Sequence, residues 1–174
     1  MPEYPPFNLD IFKMGYFILY RNDKSWFGNL IEAKQQKAGF DPDNAQFTHI
    51  EVSGGENHSV NISPPISKLI DITKQHKGRY VRLVRYKGYN DDGKRYKVAY
   101  FSASLCNKGY DIPGILAFLF KWIKHNNRLY FCSEGVLWAL QMCFPGILGI
   151  KPEECMPARF LGPEFEIVWE GVIE

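Results

Sequence analysis

The chain of 174 residues carries 21 Lys and Arg against 19 Asp and Glu, a formal charge of +2 that is too near neutrality to imply a polyanionic partner. Hydrophobic residues make up 45% and aromatics 16% of the sequence, which excludes a disordered chain and suffices for one domain, residues 1–174, whose core needs no disulfide or metal staple. The four cysteines, Cys106, Cys132, Cys143 and Cys155, have no CxxC spacing, so neither a zinc site nor a thioredoxin-type motif is indicated and no metal or cofactor is expected.

The opening MPEYPPFNLDIFK has prolines and acids where a signal peptide needs a basic start and an apolar stretch. No apolar run reaches spanning length. The default expectation is a cytoplasmic protein without a transmembrane segment, unless another route delivers it. MGYFILYR (14–21) reads as a buried strand. SWFGNLIEAKQQKAG (25–39) opens on a Ser cap and spaces Phe27, Leu30, Ile31 and Ala38 as a short amphipathic helix. FDPDNAQ reads as a loop. THIEVS (48–53) and HSVNIS (58–63) are two strands joined through the glycine turn GGEN, a hairpin.

PPISKLIDITKQHKG is a proline-started connection with a short helical turn, and RYVRLVRYKGY a third strand ended by NDDG. KRYKVAYFSASLCNKG places Val98, Phe101, Ser102 and Leu105 at helical spacing, and DIPGILAFLFKWIKHNN reads as a strongly apolar helix with Pro in its first turn. CSEGVLWALQMCF is another helix, stopped by Pro-Gly. KPEECMPARF reads as one more helical turn, and FEIVWEGV (165–172) as a last strand. Strand, helix, a group of strands and then helices make an α+β plan rather than alternating βαβ units.

The hairpin carries the first chemical signal. His49, Glu51 and Ser53 share one face of the first strand, and Ser59, Asn61 and Ser63 one face of the second. With the turn centred on Gly55, position 49 lies across from 61, where Cβ atoms stand about 4.5–5.5 Å apart. A carboxamide there can fix which ring nitrogen of His49 carries the proton and leave the other free to accept one from a thiol. His58 faces the opposite way, across from Val52. Glu51 reads as a surface residue and as the second-choice orienter. The competing reading is a solvated polar face on a surface hairpin.

Cys132 supplies the second signal. It opens a helix whose unpaired N–H groups favour a negative sulfur and, later, a negative oxygen. Cys143 lies deep in the apolar run of that helix, Cys106 ends another helix and Cys155 sits in a polar turn, so these three read as structural. Taken without the histidine, Cys132 would read as structural too.

Together these segments resemble the circularly permuted branch of the NlpC-type papain-like cysteine hydrolases, which includes the YiiX/YaeF-like bacterial proteins and the lecithin:retinol acyltransferase-like enzymes. In that order the histidine strand precedes the cysteine helix. GYFILYR is similar to the entry strand, with Tyr16 where the motif usually has Asp. THIEV and VNISPP resemble the histidine strand and the strand of the third residue. GYDIPGILAFLF resembles the Tyr-Asp segment, YFCSEGVLWAL the Cys-Ser-Glu helix start, and KPEECMPARF with FEIVWEG the tail and final strand. The resemblance implies a papain-like α+β fold, a small antiparallel sheet or half-barrel packed against helices. It implies Cys132 as nucleophile, His49 as base and Asn61 as the polar third residue, where permuted members commonly carry Glu or His. Tyr20 and Arg21 are oxyanion candidates.

The function expected is a thiol hydrolase that cleaves an amide (peptide, isopeptide or cell-wall fragment) or an acyl ester through a Cys-His-Asn triad. The alternatives are a lipid-directed acyltransferase or thioesterase with the same triad, and a non-catalytic binding or virion-associated module. Trp26, Phe27 and Trp122 read as core residues that could instead line an apolar cleft. RYVRLVRYKGYNDDGKRYK interleaves Arg and Lys with Tyr, but Arg82 and Arg85 lie on opposite strand faces and Asp91 and Asp92 interrupt the run. A solvated strand and loop is the better account, and no nucleic-acid partner is expected.

Overall fold

Strand β1 (Phe17–Arg21) lies fourth in a six-stranded antiparallel sheet, and its first four side chains are buried. The computed structural model describes residues 6–112 and 130–174. Alternation along β1 sends Phe17 and Leu19 into one apolar cluster and Ile18 and Tyr20 into another on the opposite face. The sheet order is β4-β3-β2-β1-β5-β6, with β2 at Phe47–Gly55, β3 at His58–Asn61, β4 at Lys68–Asp71, β5 at Tyr80–Tyr86 and β6 at Phe165–Val172. Both faces are covered, so β1 shows four apolar or aromatic residues in a row rather than an alternation.

Helix α1 (Trp26–Lys37) starts where expected, with Ser25 Oγ accepting from the Gly28 N–H. Its inner face ends on Gln35 rather than Ala38. Gln35 is fully buried, donates to the carbonyls of Ala45 and Phe47 and accepts from the Ala158 N–H. The segment read as a loop holds α2 (Pro42–Ala45), because Asp41 caps it and Pro42 takes the first helical turn. The proline-led connection after β3 adds edge strand β4 and then α3 (Ile72–Gln75), which Asp71 caps. Helix α4 (Asp92–Ala103) begins earlier than its apolar spacing indicates, since Asp91 accepts from the Lys94 N–H. The apolar helix expected over DIPGILAFLFKWIKHNN lies almost wholly outside the described residues. The tail 151–160 forms two short 3-10 turns.

Helix α5 (Cys132–Gln141) is the buried helix of the larger cluster, where Val136, Leu137 and Leu140 pack against Ile50, Val52, Val60 and Ile62 of the hairpin. Gly135 permits this approach: a Cβ there would lie 2.6 Å from Ile62 Cδ1 and 3.0 Å from Leu105 Cδ1. The absent side chain seats the first turn of α5, with Cys132, beside the end of β3. Among the described residues no helix is long and apolar enough to cross a membrane.

Candidate functional site

The hairpin turns later than the glycines suggest. Gly55 pairs with His58, leaving Glu56 and Asn57 as the turn, and a bulge follows between Ser53 and Gly55. Beyond it Ser53 faces Ser59 and Val52 faces Val60, a register two residues removed from the expected one. A shift of two keeps every side chain on its face but changes its partner. Extended along the strands, this register sets Asn61 opposite Glu51, not opposite His49.

The polar face of the hairpin is buried. Glu51, Ser53 and Ser59 have no exposed surface, and Asn61 has little. A carboxylate taken out of water costs several kcal/mol unless donors surround it, and Glu51 has four. Its Oε1 receives His49 Nε2 at 3.2 Å and His76 Nε2 at 2.9 Å. Its Oε2 accepts from the Tyr20 hydroxyl at 2.9 Å and from Ser59 Oγ. A carboxylate accepts at about four lone-pair positions, and here all are filled. An acceptor-only partner requires that both Nε2 atoms carry protons. Nδ1 is then the His49 nitrogen left to face Cys132.

Charge follows from this geometry. Burial by itself disfavours the imidazolium of His49, but hydrogen bonding to the Cys132 side chain and to Glu51 lifts it from its ordinary value to about 10. Burial pushes Glu51 upward, and the hydrogen bonds from His49 and His76 overcome it and hold the carboxyl at about 2. Burial, with the charge and hydrogen bond of Glu51, raises the Tyr20 phenol well above its usual value, so that hydroxyl remains a donor.

Cys132 is the first residue of α5, and with His49, His76, Asn61, Tyr20 and Tyr110 it lines one cleft of about 240 Å³. The Glu134 carboxyl accepts from the Phe131 N–H at 3.2 Å, and Ser133 Oγ donates to the Cys155 carbonyl at 2.7 Å, which anchors the helix start. Burial, then the charge of Asp111 and Glu153, raises Glu134 to about 8 against the pull of the Phe131 N–H. Tyr110 is held between the strand end and the cysteine helix. Its N–H donates to the Pro65 carbonyl and the residue bridges to Tyr130. Burial and the charge of Cys132 push its phenol well up, and the Cys132 backbone bonds to it. Asp23 and Arg79, ion-paired at 3.3 Å, stand on the cleft wall with Ser25, Thr48 and Ser63.

Cys132 and His49 are therefore brought together, whereas the other expected placements change. Asn61 lines the cleft but makes no hydrogen bond to His49, and its Oδ1 is buried without a partner. Glu51, the second choice, is the residue that hydrogen-bonds His49, and it is an interior residue rather than a surface one. Tyr20 spends its single proton on Glu51 and has none for an oxyanion. Arg21 is exposed, binds Gln46 and stacks over Tyr80, outside the cleft lining. Trp26 is 69% exposed rather than core, and its neighbour Phe27 is half-buried on the cleft wall. Trp122 lies outside the described residues.

Sequence reasoning missed His76 and gave Tyr110 no role. His76 follows a four-residue helix with no apolar period to flag it, and Glu51, its partner, lies 25 residues away. For Tyr110 the one local signal is its place in GYDIPG. No protein-family model matches the chain, and no curated protein matches it.

Proposed function

We propose that the protein is a papain-like thiol hydrolase of permuted order, with Cys132 as nucleophile, His49 as base and Glu51 as orienter. The observation that carries this reading is His49 itself, set between the Cys132 side chain and the Glu51 carboxylate on the wall of one cleft. The histidine strand precedes the cysteine helix and an antiparallel sheet packs on that helix, as the permuted branch would have it.

In the mechanism His49 Nδ1 takes the thiol proton and Cys132 Sγ attacks the acyl carbon. The carbonyl π pair moves to oxygen, whose charge meets the helix N-terminus and the Tyr110 hydroxyl. Collapse of the tetrahedral adduct breaks the C–N or C–O bond, and the His49 imidazolium gives its proton to the leaving group. Water then adds to the thioester carbon with His49 as base, and the acid and free thiol leave.

The cleft wall supports a peptide-like amide over a long acyl chain. Asp23, Ser25, Thr48, Ser63, Asn61 and Arg79 would each lose water to a lipid tail. The test has two arms. Iodoacetamide near neutral pH should alkylate Cys132 first, since burial raises Cys106, Cys143 and Cys155, and His49→Ala should suppress that reaction; equal rates in both proteins would sink the activation claim. A panel of peptide, isopeptide and lipid ester substrates should give a Cys132-linked acyl adduct by mass spectrometry with an amide. An adduct from lipid esters alone would move the assignment to a lipid-directed acyltransferase or thioesterase.

A further inference from the structure

His76 is a second imidazole on the cleft wall that the mechanism above does not use. Its Nε2 meets the same oxygen of Glu51 that serves His49, and at 2.9 Å it is the nearer of the two. Its ring lies 4.4 Å, centroid to centroid, from Tyr20, whose hydroxyl occupies the other carboxylate oxygen. We propose that His76 is a positioning residue for His49: by sharing Oε1 of Glu51 it holds the carboxylate in place and divides its negative charge, so that the His49 imidazolium can release its proton. The proposal rests on the thiol-hydrolase reading and deepens it.

A divider of this kind eases the return of the proton. A base must become an acid in the next half-reaction, and it does both best when its affinity for protons lies near the working pH. A buried carboxylate that meets one imidazole alone raises that ring's affinity for its proton. A second N–H donor on the same oxygen weakens that hold without removing the orienting bond.

The remaining charged groups around His76 do not perform this division. Tyr20 of β1 donates to Oε2, the far oxygen. Arg79, before β5, lies over the Tyr20 ring at 5.9 Å, and its charge is paired with Asp23. Asp71, which caps the short helix that His76 follows, is bound to Thr73 and Lys74.

Histidine NMR on the full chain tests the proposal without any substrate. In the wild type, long-range nitrogen–proton correlations should show His76 as the Nε2–H tautomer; an Nδ1–H tautomer overturns the proposal. In His76→Leu the titration midpoint of His49 should rise by about one unit, while His76→Gln, which keeps an N–H at that reach, should stay near the wild type. A midpoint that stays or falls in folded His76→Leu overturns the proposal, as does His76→Gln matching His76→Leu. Alkylation of Cys132 at about pH 5.5 should stay within about twofold of the wild type in His76→Leu, because His49, raised to about 10, is already an imidazolium there in both proteins. A loosened site would slow it, which also counts against the proposal. If the His49 midpoint rises but no acyl substrate turns over, the role of His76 stands and the hydrolase reading fails; turnover with an unmoved midpoint gives the reverse.

Discussion

His49 Nε2 stands 3.2 Å from Oε1 of Glu51, two residues further along the same strand. Residues i and i+2 of a strand share a face, so β2 alone carries both the proposed base and the carboxylate bonded to it. That arrangement ranks the substitutions at the site. Glu51→Gln places an NH₂ group among donors that need an acceptor, and it should slow Cys132 alkylation by about tenfold or more and cost about 2–4 kcal/mol of stability. Asn61→Ala should leave alkylation within about twofold, because its carboxamide does not touch His49. The reverse order, read from iodoacetamide rates and urea unfolding, would return the orienting role to Asn61.

Stability should depend on pH through the same pair. Glu51 is depressed from 4.5 to about 2, so its contribution is whole above 4.5 and is lost as pH falls toward 2. His49 is raised from 6.5 to about 10, so its contribution is whole below 6.5 and is lost as pH rises toward 10. Both are complete between 4.5 and 6.5. Thermal melts across pH should place a maximum in that window, and Glu51→Gln should flatten both limbs. A variant with the wild-type profile would show that other groups set it.

Tyr110→Phe separates acyl chemistry from simple thiol reactivity. Alkylation forms no oxyanion, so its rate should stay near that of the wild type. Turnover of an acyl substrate should fall by about 10²-fold in kcat with KM little changed, the cost of one oxyanion donor. A loss confined to KM would make Tyr110 a binding residue instead.

Gly135 offers a test remote from the chemistry. Gly135→Ala should destabilise by about 1–3 kcal/mol, because Ile62 and Leu105 have no exposed surface into which to retreat. Ile62→Val deletes the nearest methyl, so the double variant should recover much of the loss. Additive costs in that cycle would mean that the contact at 2.6 Å is not what the alanine meets.

Local chemistry made several features legible. Ser25 precedes an amphipathic run and caps α1 as its side chain requires, and FEIVWEGV became β6 over Phe165–Val172. The period of two put His49, Glu51, Ser59 and Asn61 on one face, and Cys132 opened a helix as its neighbours indicated. Each depends on residues within a few positions of one another. FDPDNAQ, expected as a loop, holds a proline-led turn of helix whose Asp41 cap is equally local.

The partners of those side chains were decided in three dimensions. Alternation specifies a face but not a register, and a turn at Glu56 and Asn57 together with one bulge between Ser53 and Gly55 moved Asn61 from His49 to Glu51 without turning any side chain over. Burial of the polar face depends on α3 and the N-terminal segment, whose Ile72 and Phe12 pack with Tyr20 in the second cluster; alternation alone reads the same whether such a face meets water or protein. His76 reaches Glu51 only because β4 folds back on β3. By itself, then, the sequence determined the faces and helix starts that carry the candidate site residues, since these follow from backbone period and capping. Which group holds which was settled by packing, because hydrogen-bond partners distant in the chain are chosen by the burial that brings them together.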